Sequence, residues 1–168
     1  MSDDITFKVA DYVVYPAHGV GQITDEEVQV IGGMELKVFV ISFEREKMIL
    51  RVPVRRAKAA GLRHLSSRSE VEKVLTTLQG RAKSGRGMWS RRAQEYEGKI
   101  NSGNIISIAE VVRDLHKNVD DPDRSYSERI IYEAALGRLA GEYAAVENID
   151  TKQAIERLVD FLKDKEAA

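Results

Sequence analysis

The rhythm of apolar and polar positions changes once along this chain, near Pro53. Before it the pattern is that of strands. Val13-Val14-Tyr15 is a short apolar run closed by the Pro16-Ala17-His18-Gly19 turn. Val20 to Ile31 carries Ile23, Val28, Val30 and Ile31 and reads as a strand. Gly32-Gly33 follows, a two-residue hairpin signal because glycine accepts positive φ freely. Leu36, Val38 and Val40 alternate with Lys37, Phe39 and Ile41, so both faces become apolar and the strand is expected to be central. Glu44-Arg45-Glu46 makes a charged turn, and Lys47 to Val52 is a further strand stopped by Pro53. Four or five short antiparallel strands in so few residues predict a small, strongly bent sheet or SH3-like barrel.

After Pro53 the spacing becomes helical. Val54 to Ala60 forms one or two turns ended by Gly61. Ser67-Arg68-Ser69-Glu70 fits a capping box and precedes Val71, Val74, Leu75 and Leu78. Gly80 to Gly87 reads as a flexible loop with Arg81, Lys83 and Arg86. Met88 to Ile100 is the next helix, ending near Ser102-Gly103. Ile105, Ile108, Ala109, Val112 and Leu115 mark another, broken by Asp120-Asp121-Pro122-Asp123. Ser125-Tyr126-Ser127-Glu128 is a second capping box. It opens a long helix with Ile130, Ile131, Ala134, Ala135, Leu139 and Tyr143. Asp150 or Thr151 caps a last helix carrying Ala154, Ile155, Leu158 and Leu162. The fold class expected is α+β, a small SH3-like antiparallel β-domain over 1–63 followed by a compact all-helical domain over 64–168.

Composition narrows the function. With 26 Lys+Arg against 27 Asp+Glu, the net charge of −1 argues against a polycation that coats nucleic acid. The average hides an asymmetry: residues 1–50 carry a net −5, 51–100 a net +9, and 101–168 a net −5. One strongly basic third can bind a polyanion locally, or it is a set of solvated helix faces. The absence of cysteine excludes disulfides, thiolate metal sites and a Cys nucleophile. No apolar run approaches the roughly 18 residues that span a bilayer, and the acidic Met1-Ser2-Asp3-Asp4 start is no signal peptide. A cytoplasmic protein without membrane contact is expected.

Enzyme chemistry finds no support. His18, His64 and His116 lie far apart, without HxxxH or HExxH spacing. No GxxxxGK[ST] or GxSxG occurs, and Asp120, Asp121 and Asp123 lack the glycine and terminal glutamate of a calcium loop. No metal, cofactor or catalytic residue is expected. The informative segment is Gly85-Arg86-Gly87-Met88-Trp89-Ser90-Arg91-Arg92, where the single Trp sits at a predicted helix N-terminus after a basic loop. Arginines there add charge-assisted contacts to phosphate, and a flat apolar ring stacks on a base or wedges into a minor groove. The alternative is a Trp89 that plugs the core between helices. The strand Lys47-Met48-Ile49-Leu50-Arg51-Val52-Pro53 offers backbone groups for strand addition if it is an edge, and is a plain core strand otherwise.

Four segments together resemble one family. They are Val13-Val14-Tyr15-Pro16-Ala17-His18-Gly19-Val20-Gly21, Arg51-Val52-Pro53-Val54, Trp89-Ser90-Arg91-Arg92, and Ile108-Ala109-Glu110-Val111-Val112-Arg113-Asp114-Leu115. In this order they are similar to the CarD/CdnL family of bacterial transcription regulators, over essentially the whole chain. The resemblance implies a Tudor-like N-terminal domain that binds the β subunit of RNA polymerase by setting a sheet edge against the β subunit's own sheet. Arg51 matches a polymerase contact, and the strand near Gln29 matches another, where some members carry Arg. Met48, Ile49, Leu50, Val52 and Pro53 complete the docking strand. The resemblance also implies that Trp89, with Arg91, Arg92 and Arg86, meets promoter DNA in the minor groove at the upstream edge of the transcription bubble, with little sequence preference. A monomer that stabilises the open complex is the function implied. A free-standing nucleic-acid-binding module, or a protein–protein adaptor acting without polymerase, is the alternative. The terminal Ala167-Ala168 resembles a tail read by bacterial ATP-dependent proteases, or is a plain helix end.

Overall fold

The computed structural model describes residues 7–83 and 87–167, with side chains through Lys163. The chain divides into two compact units, Met1–Leu65 and Ser66–Ala168.

The first unit is an antiparallel sheet of five strands in the order β4-β3-β2-β1-β5. The strands are β1 (Tyr12–Tyr15), β2 (Gly19–Ile31), β3 (Met34–Phe43), β4 (Met48–Pro53) and β5 (Arg63–His64). Gly32 and Gly33 join β2 to β3 with φ of 58° and 80°, the double left-handed geometry of a tight hairpin turn. β2 is long and bends: its pairing with β3 runs from Gln22 to Ile31, with a register shift between Ile23 and Asp25. The first half pairs with β1, and the second runs on as a hairpin with β3.

β3 is central, between β2 and β4, and Val38 to Ile41 are buried in succession. Phe39, Ile41 and Phe43 face the core with Val13, Ile23, Val52, Ala57 and Leu62. Gly21 is needed where β2 crosses them. A Cβ there would lie 2.8 Å from both Ile41 Cγ2 and Phe43 Cε1.

The stretch after Pro53 begins with a single 3-10 turn, Val54–Arg56. It returns as β5, which pairs with Val13 and Val14 of β1. That strand is not legible from sequence. Two residues carry no periodicity, and only the free flank of β1 makes them a strand.

The second unit has five helices: α1 (Arg68–Gln79), α2 (Trp89–Ile100), α3 (Ile105–His116), α4 (Tyr126–Glu147) and α5 (Thr151–Ala167). The α+β class expected from the sequence is the class observed. Local capping explains most helix starts. At Ser67 and Glu70 both halves of the capping box form. Ser125 Oγ accepts from the Glu128 N–H at 3.1 Å, while the Glu128 carboxylate accepts from Asn118 Nδ2. Asp150 and Gln153 cap α5 reciprocally, at 2.7 and 3.3 Å.

One core fills this unit, with Val74, Leu78, Ala109, Val112, Leu115, Leu139, Ala140 and Leu158 at its centre. The buried face of α4 is broader than the expected one: Ile131, Ala135, Leu139 and Tyr143 are buried as the spacing predicts, Ile130 and Ala134 are exposed, and Tyr132, Leu136 and Ala140 are buried as well. α4 packs against α2, α3 and α5, so its burial does not follow a single stripe. No helix among the described residues is long and apolar enough to cross a membrane.

Candidate functional site

The residues singled out in the sequence fall into two sets, one in each unit. In the sheet, β4 is an edge strand, paired among the described residues with β3 alone, which favours the edge over the core reading. Strand alternation then splits the expected docking residues in two. Met48, Leu50 and Val52 stand opposite Phe43, Ile41 and Phe39 and face the core. Ile49, Arg51 and Pro53 stand opposite Ser42, Val40 and Val38 and face outward. Ile49 is 60% exposed. Gln29 lies two residues from Glu27 on β2, and the register places both on this same outer face. Arg51 Nε donates to Glu27 Oε2 at 3.2 Å across β3. The sequence gives no hint of that partner, because 24 residues separate the two.

In the helical unit, Trp89 is the first residue of α2, after a Met88 cap position that makes no side-chain cap bond. The helix carries Trp89, Arg92 and Tyr96 on one face, because steps of three and four residues return to the same side. The Arg92 guanidinium lies 5.4 Å from the centre of the Trp89 ring and 5.9 Å from that of Tyr96. Its Nη2 donates to Tyr96 Oη at 3.3 Å. Its Nε is buried with no hydrogen-bond partner among the described residues. Arg91, one step round the helix, is exposed. The two arginines adjacent in sequence therefore occupy different environments: Arg91 is open to solvent and Arg92 is engaged with its own domain's rings. Arg86 lies outside the described residues.

Trp89 is neither a buried core plug nor a fully open side chain. The ring packs partly against the helical core, yet it is only half-buried. Its Nε1 donates to Ser127 Oγ on the first turn of α4, at 3.2 Å. In the sequence Ser127 was part of a capping signal and nothing more. The loop that leads to Trp89 is also tied down at its start. Asp114 Oδ1 accepts from the Lys83 backbone N–H at 2.9 Å and from Arg113 Nε at 2.8 Å.

The histidines stay apart. His18 bonds to Glu46 at 2.9 Å and stacks on Tyr15, His64 rests against Phe7, and buried His116 bonds to the Tyr132 hydroxyl at 2.8 Å. Among the described residues no group of His, Asp and Glu is arranged to hold a metal ion.

An open sheet edge in one unit and a half-exposed Trp–Arg corner in the other define an α+β protein with a candidate contact surface in each part. The chain belongs to the CarD-like transcription factor family. Residues 7–66 match the family described as CarD-like/TRCF RID domain, and residues 73–160 match CarD, C-terminal domain. The chain is also similar to a Bacillus subtilis (strain 168) protein named "Putative transcription factor YdeB". The two are 25% identical over 147 residues, which cover 88% of this chain and 96% of the relative.

Proposed function

We propose that this protein binds the β subunit of RNA polymerase through β4 and the outer face that carries Arg51, Ile49, Pro53 and Gln29. From there it stabilises the promoter open complex by setting Trp89 into the minor groove at the upstream edge of the bubble. It acts as a monomer, without catalysis or cofactor. The observation that carries this reading is the placement of Trp89, half-exposed at the start of α2 beside the exposed Arg91, in a chain of this family. The edge position of β4 supports the docking half, because an unpaired strand edge accepts a further strand.

The physics is modest in scale. Opening a promoter unstacks and unpairs DNA at a cost of a few kcal/mol per step. A wedge at the upstream fork opposes reclosure. A stabilisation of about 1–2 kcal/mol shifts the open population roughly 5–30-fold. Polymerase docking supplies a high local concentration, so the DNA affinity of the helical unit need not be large. That reconciles action on DNA with a net charge of −1. Minor-groove contact reads shape and A·T content, so sequence preference is slight.

The test is open-complex lifetime on one promoter, with wild type and Trp89→Ala compared at equal polymerase occupancy. The variant shortens the lifetime and still co-purifies with polymerase. An unchanged lifetime removes the wedge and leaves an adaptor. Binding to DNA but not to polymerase identifies a free-standing nucleic-acid module.

A further inference from the structure

We infer that Ser127, on the first turn of α4, is a positioning residue for Trp89, fixing the indole before it meets DNA. The inference rests on the reading of Trp89 as the DNA-contacting group.

The bond crosses from one helix to another. Trp89 Nε1 and Ser127 Oγ are 3.2 Å apart, and the residues are 38 positions apart in sequence. An indole at the first position of a helix has no preceding turn to pack against, so its two side-chain torsions are weakly restrained by its own helix. Here the restraint comes from outside. Ser127 holds the ring N–H, the guanidinium of Arg92 lies over the ring at 5.4 Å, and Tyr96 stands 6.2 Å away at 47°. Arg92 and Tyr96 belong to the same helix as Trp89, so they move with it. Ser127 is the member of the set that ties the ring to α4. A side chain that is already fixed loses less conformational freedom on insertion, and that saving appears directly in the lifetime of the complex. The bond does not act as a latch against insertion, because a single neutral hydrogen bond in an exposed setting is too weak to hold the ring back.

The single tryptophan makes the idea measurable in the free protein, because all indole emission comes from Trp89. Wild type, Ser127→Ala and Ser127→Thr are compared by indole anisotropy with acrylamide quenching, and these three together with Trp89→Ala by thermal melting and open-complex lifetime. Loss of the hydroxyl lowers the anisotropy and raises quencher access. It shortens the open-complex lifetime about three-fold, the scale of one immobilised side chain, while the melting temperature falls by a few degrees at most. Threonine keeps the hydroxyl and restores both signals.

The inference is overturned if Ser127→Ala keeps or lengthens the wild-type lifetime while Trp89→Ala shortens it. It is also overturned if lifetime falls without any change in indole mobility, or if threonine fails to restore it. If Trp89→Ala itself leaves the lifetime unchanged, the reading of Trp89 fails instead. The quenching data then still report whether Ser127 fixes the ring.

Discussion

The guanidinium of Arg51 on the edge strand reaches over β3 to the carboxylate of Glu27 on β2, with Nε and Oε2 3.2 Å apart. The register sets Arg51 opposite Val40 and Glu27 opposite Val38. The pair thus flanks two valines that face away from the core cluster and are still buried. Both charged side chains remain substantially exposed, at 50% and 37%. An ion pair in that setting contributes about 1 kcal/mol or less to stability. It holds the Arg51 head over the outer face, the face that the proposed docking uses.

Arg51→Glu therefore separates binding from folding. The new carboxylate faces Glu27 and reverses the charge of the proposed polymerase surface. Co-purification with polymerase falls at least about ten-fold, while unfolding free energy changes by about 1 kcal/mol or less. Equal co-purification would take Arg51 out of the interface.

Gly21→Ala tests the sheet that presents β4. The added methyl meets Ile41 and Phe43 at 2.8 Å, both on the central strand that pairs with β4. Overpacking of this kind costs about 1–3 kcal/mol. Urea unfolding of the N-terminal unit measures it, and a change under about 0.5 kcal/mol means that the strands shift without penalty.

Asp114→Ala leaves the buried Arg113 guanidinium without its carboxylate and frees the Lys83 amide. Breaking one side of a buried pair costs about 3–5 kcal/mol. Asp114→Asn keeps an acceptor and is milder. Amide exchange at Lys83 speeds up in both variants. If the Lys83 amide stays protected in Asp114→Ala, the loop is held by something other than this carboxylate.

Glu142→Ala addresses the first residue of the helical unit. The buried Glu142 carboxylate accepts from both the backbone N–H and the hydroxyl of Ser66, at 2.8 and 2.6 Å. Removing it strands two buried donors, each costing about 1–3 kcal/mol. A drop in unfolding free energy of that order is expected. A melting curve that overlays wild type would show that Ser66 finds other partners.

Much of the fold is legible in the sequence itself. The change from alternation to helical spacing, the Gly32-Gly33 hairpin, the Ser67 box and the helix start at Met88 are local signals, set by residues within a turn of one another. The same locality explains the misses. β5 exists because β1 has a free flank, and the additional buried positions of α4, Tyr132, Leu136 and Ala140, are decided by three neighbouring helices.

By itself the sequence determined that an antiparallel sheet precedes a helical bundle, and that the basic third of the chain holds Arg51, Trp89, Arg91 and Arg92. Local propensity and periodicity act over a few residues, and charge is a matter of counting. Only the tertiary structure decided which of these groups are available. It put Ile49 and Arg51 outward while turning Leu50 and Val52 to the core. It left Arg91 in solvent while laying Arg92 over two rings, and it brought Ser127 to the indole of Trp89. Strand register and helix packing are settled by contacts between residues tens of positions apart, and no local pattern encodes those distances.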